Sequence, residues 1–263
     1  MDLKLKDKRA LVTGSSRGLG YATALQLARE GCKVAINGRD EGKVKAAAEK
    51  IVHETGTQAH GLAGDVGDAS KAEALIKSTV EALGGLDILI TNAGGPPAGA
   101  FESFDEVAWQ KAVDVSFMSH VRLIRAALPH LRKSSAPSVL TVTSFTVKQP
   151  LANLVLSNSV RLATIGLTKS LALELGRDEI RFNSILPGWT ETERVQDLMA
   201  FRAKNNNTTV TEEFSKLASD IPLGRIGQPA EFANTAVFLV SSAASYITGV
   251  MLSVDGGAVK STL

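Results

Sequence analysis

The stretch Leu11-Val12-Thr13-Gly14-Ser15-Ser16-Arg17-Gly18-Leu19-Gly20 constrains this chain more than any other. A short apolar strand runs there into spaced glycines and then into a helix-period segment, from about Leu19 to Glu30. Gly14 permits a sharp turn, Gly18 lets a diphosphate approach the backbone, and Gly20 lets the helix pack closely on the strand. The first helical turn then points its unpaired N–H groups at that anion, with Ser16 and Leu19 in the same cradle. Glycine turns also serve ordinary packing, so the meaning of this one depends on the rest of the chain.

The remaining residues repeat the same step. Apolar, β-branched-rich runs at 10–13, 34–37, 59–63, 88–91, 139–143, 182–186 and 251–254 alternate with helix-period segments at 41–53, 71–83, 105–131, 154–175 and 230–241. Strands alternating with helices predict an α/β fold, a doubly wound parallel sheet of seven strands with helices on both faces. Ser103-Phe104-Asp105-Glu106 fits a capping box opening the 105–131 helix, and Pro229 suits the first turn of another. In such a sheet, ligands sit beyond the carboxyl ends of the strands, so the residues just after each run carry the function. No linker or repeat divides residues 1–263, which predicts one domain, with a lid-like substrate segment at about 190–222 where the rhythm breaks.

A net charge of +2 with 44% hydrophobic residues gives no field for nucleic acid, and no run is long enough to span a membrane. The N-terminus has no apolar run behind its charges, so the expected location is the cytoplasm. Cys32, the one cysteine, reads as a packed structural thiol, and His53, His60, His120 and His130 fall in no metal-ligand spacing and are expected on element surfaces. No metal is predicted.

After the second strand, Gly38-Arg39 stands where a carboxylate would hold an adenosine ribose through its two hydroxyls. Arg39 with Arg17 can instead clamp a 2′-phosphate, which favours NADP(H) over NAD(H). Asp65-Val66 follows the third strand and faces the adenine. Asn92-Ala93-Gly94 ends the fourth, where small residues leave room for the cofactor and the Asn92 amide ties neighbouring strands together.

These motifs, with Ser144 after the fifth strand, Pro187-Gly188-Trp189-Thr190-Glu191-Thr192, and Tyr246-Ile247-Thr248-Gly249 with Asp255-Gly256-Gly257, resemble the short-chain dehydrogenase/reductase family over nearly the whole chain. The resemblance implies a Rossmann-type sheet and lies nearest the 3-oxoacyl-[acyl carrier protein] reductase-like branch. It implies NADP(H) binding, a small-molecule substrate such as an acyl thioester, a homotetramer, Pro187 and Gly188 at the cofactor, and Thr192 on the nicotinamide carboxamide. The family's active site uses an asparagine, a serine, a tyrosine and, four residues on, a lysine. Ser144 matches the serine. The tyrosine position is Ser157, the lysine position Arg161 and the asparagine position Asp114, so the chain is similar to a divergent subgroup without the tyrosine.

A ketone taking a hydride needs a proton at its oxygen, and serine is too weak an acid to replace a phenol of pKa about 10. Arg161 stays charged and cannot cycle a proton, yet it can hold ribose hydroxyls or a substrate anion. Ser157 and Arg161, four apart, are expected on one helix face toward the nicotinamide. Asp114 and Arg161 are candidates for a buried ion pair, and Lys148, at the cleft edge, for a substitute acid. Trp189, Met199 and Phe201 with Phe145, Val147 and Leu151 are candidates for an apolar substrate cleft, and Arg194, Arg202 and Lys204 for a cationic rim. The rival reading is a catalytically weak or inactive homologue that keeps the nucleotide pocket as a sensor or structural subunit.

Overall fold

The computed structural model describes residues 2–262. Its elements follow the alternation: β1 (Arg9–Val12), α1 (Gly18–Arg29), β2 (Lys33–Gly38), α2 (Glu41–Thr55), β3 (Ala59–Ala63), α3 (Ala72–Leu83) and β4 (Ile88–Thr91). Then come α4 (Glu106–Val113), α5 (Ser119–Leu131), β5 (Ser138–Val142), α6 (Val155–Glu174) and β6 (Arg181–Pro187). The chain closes with α7 (Glu193–Asn206), α8 (Val210–Ser219), α9 (Pro229–Val240) and β7 (Met251–Val254). All seven strands pair in parallel, in the order β3-β2-β1-β4-β5-β6-β7. The chain therefore winds outward from β1 to β3, then crosses back to lay β4 on the other side of β1. The crevice between β1 and β4 is the switch point at which such sheets bind ligands.

Side-chain alternation along each strand supplies two cores. Ala10, Val12, Ile36 and Ile90 face one way, against α1, α2 and α9, where Leu27, Ile51 and Phe232 are fully buried. Leu11, Leu89 and Val139 face the other way, against Ile76 of α3, Leu123 of α5 and Ala172 of α6. A strand covered on both faces reads as a continuous apolar run, which is why the central strands announced themselves in the sequence.

Local capping sets the helix starts. Asp40 accepts from the Lys43 N–H to open α2, and α9 begins with Pro229, the Glu231 carboxylate reaching back to accept the Gln228 N–H. The box expected at Ser103 is absent: Asp105 caps α4 through the Ala108 N–H, while the Ser103 hydroxyl donates to the Ala100 carbonyl. Nor is 105–131 one uninterrupted α-helix. Residues 114–118 form a π-helical turn between α4 and α5, an inserted residue of the kind that recurs at functional sites. The segment 190–222, expected as a lid, folds into two helices, α7 and α8, whose Met199, Ala203 and Leu217 are buried.

Cys32 is buried, with burial pushing its thiol up to about 12, so it is an inert packing group. His120 corrects the expectation of a surface histidine. It is 2% exposed, its Nδ1 lies 2.6 Å from the Thr91 hydroxyl, and burial with the nearby Arg161 charge pushes it down to about 3, so it stays neutral. No helix of the described residues is long and apolar enough to cross a membrane, and no group of three or more His, Cys, Asp and Glu forms a metal cage among them.

Candidate active site

The loops at the carboxyl ends of β1, β4, β5 and β6, closed over by the start of α7, enclose a cavity of about 500 Å³. Its nucleotide side is built by the glycine turn. Gly14 and Gly18 take φ values of +55° and +59°, a left-handed backbone that favours glycine. A methyl on Gly20 would strike the Gly14 carbonyl and lie 2.8 Å from the Ser15 Cα, so this glycine sets how closely α1 approaches the turn. Asn92 ties the ends of β1 and β4 together. Its Nδ2 donates to the Gly14 carbonyl at 2.9 Å and its N–H to the Thr13 hydroxyl, which donates in turn to the Asn92 carbonyl.

Fourteen of the residues singled out from sequence line this one cavity: Gly14, Arg17, Gly18, Leu19, Arg39, Asn92, Ala93 and Gly94 on the nucleotide side, and Ser144, Ser157, Arg161, Pro187, Gly188 and Thr192 on the other. Ser16 and Gly20 act behind the wall, Ser16 against Gly38 and Gly20 against the turn. Asp65 and Val66 instead line a separate cavity of about 180 Å³ beyond β3. At the rim Arg39 is exposed and carries no carboxylate neighbour from the strand end, since Asp40 is committed to the α2 cap. Arg17 is not free beside it. Its Nη1 donates to Glu193 of α7 at 2.7 Å, linking the glycine turn to the segment across the cleft.

The catalytic positions divide. Ser144 lies two residues beyond β5 and accepts the Thr146 N–H on its Oγ at 3.2 Å, which leaves its own hydrogen free to donate into the cavity. Ser157 and Arg161 share the cavity-facing side of α6, as their spacing predicts. Arg161 is 8% exposed. Its Nη1 donates to the Thr143 carbonyl at 2.7 Å, its Nε has no hydrogen-bond partner, and burial with the nearby Arg194 charge pushes its guanidinium down to about 10.

Two candidates lie elsewhere. The ion pair expected between Asp114 and Arg161 does not form: the Asp114 carboxylate accepts from Gln110 and from Arg122 at 2.8 Å, and these contacts hold it below the usual carboxylate range. The π turn carries this residue away from the cavity, which it does not line. Lys148, expected at the cleft edge, is exposed at the end of the short turn after Ser144 and is not part of the cavity wall.

The apolar cleft is smaller than the sequence suggests. Trp189, Phe145 and Leu151 line it, with the first two rings packed edge to face at 6.2 Å. Met199 is fully buried under α7, Phe201 is 64% exposed, and Val147 is not in the wall. Arg202 lies over the Trp189 ring. Gly95, the last of the small residues read after the fourth strand, lines the cavity with Gly94. The sequence reading missed the contribution of Pro96, Leu154 and Asp197 to the wall, and Asp197 and Leu154 carried no signal for it.

Comparison with known proteins agrees with this architecture. The sequence profile described as enoyl-(acyl carrier protein) reductase matches residues 14–259. The chain is 34% identical over 261 residues to the bovine dehydrogenase/reductase SDR family member 4, covering 97% of this chain and 88% of that one. It is 33% identical over 258 residues to the 3-oxoacyl-[acyl-carrier-protein] reductase of Aquifex aeolicus, covering 98% and 99%. Among solved structures it superimposes on the L-sorbose reductase of Gluconobacter frateurii, complexed with NADPH and L-sorbose, with a TM-score of 0.96 at 30% identity over 99% of this chain and 100% of the other.

Proposed function

The chain belongs to the short-chain dehydrogenase/reductase family, and on that premise we propose that it is an NADP(H)-dependent oxidoreductase of a carbonyl or hydroxyl compound. In this reading it is related to the 3-oxoacyl-thioester reductases and works with an altered acid–base centre. One observation carries the proposal: the glycine cradle and the Ser144, Ser157 and Arg161 side chains open into the same cavity. The cradle fits a dinucleotide, because left-handed Gly14 and Gly18 and the α1 N-terminus leave backbone N–H groups for a diphosphate. Arg39 at the rim, without a competing carboxylate, suits a 2′-phosphate.

When bound, the cofactor supplies or accepts a hydride at the substrate carbon. The protein's part is to manage the charge that then grows on the substrate oxygen. The Ser144 hydroxyl donates to that oxygen, and the cationic Arg161 in the same cavity lowers its energy. No phenol stands at position 157, so the proton arrives through water held by Ser157 rather than from a side-chain acid. Asp114, Lys148 and His120 are outside this chemistry by their placement or their neutral charge.

The homotetramer belongs to the same proposal. Val107 on α4 and Leu162 and Leu173 on α6 are 74%, 51% and 75% exposed, apolar side chains that association would cover. Light scattering is expected to give four chains per particle.

A second reading, a nucleotide-binding protein without turnover, draws on the arginine at position 161, which is anchored to the Thr143 carbonyl and cannot cycle a proton. Calorimetric titration with NADPH and with NADH tests the common premise without a choice of substrate. NADPH is expected to bind at least tenfold more tightly than NADH, and Arg39→Ala to remove that preference while leaving NADH unchanged. Failure of both dinucleotides to bind would sink both readings. Binding without hydride transfer to any carbonyl would leave the second.

A further inference from the structure

Two guanidinium groups meet in the cavity. Arg161 reaches it from α6 with Nη1 tied to the Thr143 carbonyl, its buried Nε unpartnered and its Nη2 toward Gly95. Arg194, in the first turn of α7, reaches it from the opposite wall, making only long contacts to the Gly95 and Pro96 carbonyls at 3.5 and 3.4 Å. They converge over the bare face of Gly95: the point where a side chain would begin is 2.7 Å from Arg194 Nη1 and 3.3 Å from Arg161 Nη2.

The charges around this point are unbalanced. Neither arginine has an ion-pair partner among the described residues. Of the two acids in the wall, Glu193 is engaged by Arg17 and Asp197 lies within ion-pair distance of neither. His120, the nearby titratable group, is neutral. Two like charges held together with one of them buried are costly, and Arg194 does depress Arg161. An oxyanion between them removes that cost.

We propose that Arg161 and Arg194 form a subsite for the carboxylate of an oxo acid, whose oxo group is thereby presented to Ser144. The proposal rests on the oxidoreductase reading and names its substrate class. Arg161 is anchored on Thr143, the residue immediately before Ser144, and all three side chains' elements bound one cavity, so one substrate can meet the arginines and Ser144 together. Arg161 Nη2 and the Arg194 fork both face the Gly95 position, and guanidinium donors of this kind match a flat carboxylate. Gly95 leaves the room, and any side chain there would occupy the anion position.

Calorimetry on the full-length protein saturated with NADPH tests this, with acetoacetate and pyruvate as probes and methyl acetoacetate and inorganic phosphate as comparators. The oxo acids are expected to bind at least tenfold more tightly than either comparator. Arg194→Met is expected to weaken acetoacetate at least tenfold without changing NADPH affinity, and Arg194→Lys to recover part of the loss. Arg194 is on the exposed start of α7, so these variants fold. Equal binding of acetoacetate and its methyl ester, phosphate binding as tight as the acids, an Arg194→Met protein that binds as the wild type does, or displacement of NADPH by the acid would each overturn the proposal. Should NADPH itself fail to bind, the same titration of the cofactor-free protein separates the two ideas. Arg194-dependent binding of acetoacetate there would keep the subsite and discard the oxidoreductase reading, and its absence would discard both.

Discussion

Replacing Gly20 by alanine tests whether the glycine turn is a machined surface or a permissive loop. A methyl group there meets the backbone carbonyl of Gly14, the Ser15 Cα at 2.8 Å and the Asn92 Nδ2 at 3.0 Å, all in a wall that cannot rotate away. Alanine gains about 1 kcal/mol of helix propensity over glycine, but forcing a methyl into packed backbone costs about 1–3 kcal/mol. The crowded carbonyl is the one that accepts the Asn92 amide, so relief must either push α1 off β1 or break the tie between β1 and β4. The net loss is up to about 2 kcal/mol, which for a chain of this size lowers Tm by up to roughly 8 °C. Displacing the α1 N–H groups from the cradle weakens NADPH further, by more than about tenfold, or 1.4 kcal/mol. Gly42→Ala is the control. It lies on the exposed first turn of α2, where the nearest atom is 3.5 Å away, and is expected to hold or raise Tm. Differential scanning calorimetry with and without NADPH reads both. A Gly20→Ala protein with wild-type Tm and NADPH affinity within twofold of wild type would refute the packing argument.

Particular contacts give two further outcomes. Burial alone would push the Asp87 carboxyl up, but hydrogen bonds from Arg9 and Ser134 outweigh it and hold the group below its usual range. Its stabilising contribution is therefore complete above the unfolded value of about 3.9 and is lost as pH falls through the lower folded value. Asp87→Asn is expected to cost about 3 kcal/mol at pH 7, with the gap closing toward pH 3 in urea titrations, and a gap independent of pH would refute the assignment. Ser157→Tyr combined with Arg161→Lys restores the acid and the amine at their family positions. New NADPH oxidation on acetoacetyl thioesters, at least tenfold above wild type, is expected if only the acid is missing, whereas unchanged rates in a protein that still binds NADPH would place the defect elsewhere.

The strand runs and the glycine turn were legible because both are local. β3, β4 and β7 match their predicted spans, and the other four strands differ by a residue or so at their ends, since a strand buried on both faces must be apolar along its length. The cofactor wall was legible for the same reason, being made of turns that come directly after those strands. The errors are of another kind. Nothing in Asp114 or its neighbours reveals that a π turn would aim it at Arg122, and nothing in His120 separates a buried imidazole bonded to Thr91 from a surface one. Residues 193–206 have a weak apolar pattern because α7 buries mainly Met199 and Ala203, so the helix itself was not legible in a segment read as a lid.

By itself, the sequence determined the order of elements, the parallel sheet and the place of the glycine turn, and it put Ser157 and Arg161 four apart on one helix face. These depend only on residue type and spacing along the chain. Tertiary structure alone decided what the replacements face. Arg161 and Arg194 are separated by β6 and a turn, and only the folding of α7 back across the ends of β4 and β5 brings their charges together over Gly95. An ion pair such as Arg17 with Glu193, or its absence at Arg161, depends on distances across the cleft, and no periodicity in a chain encodes those.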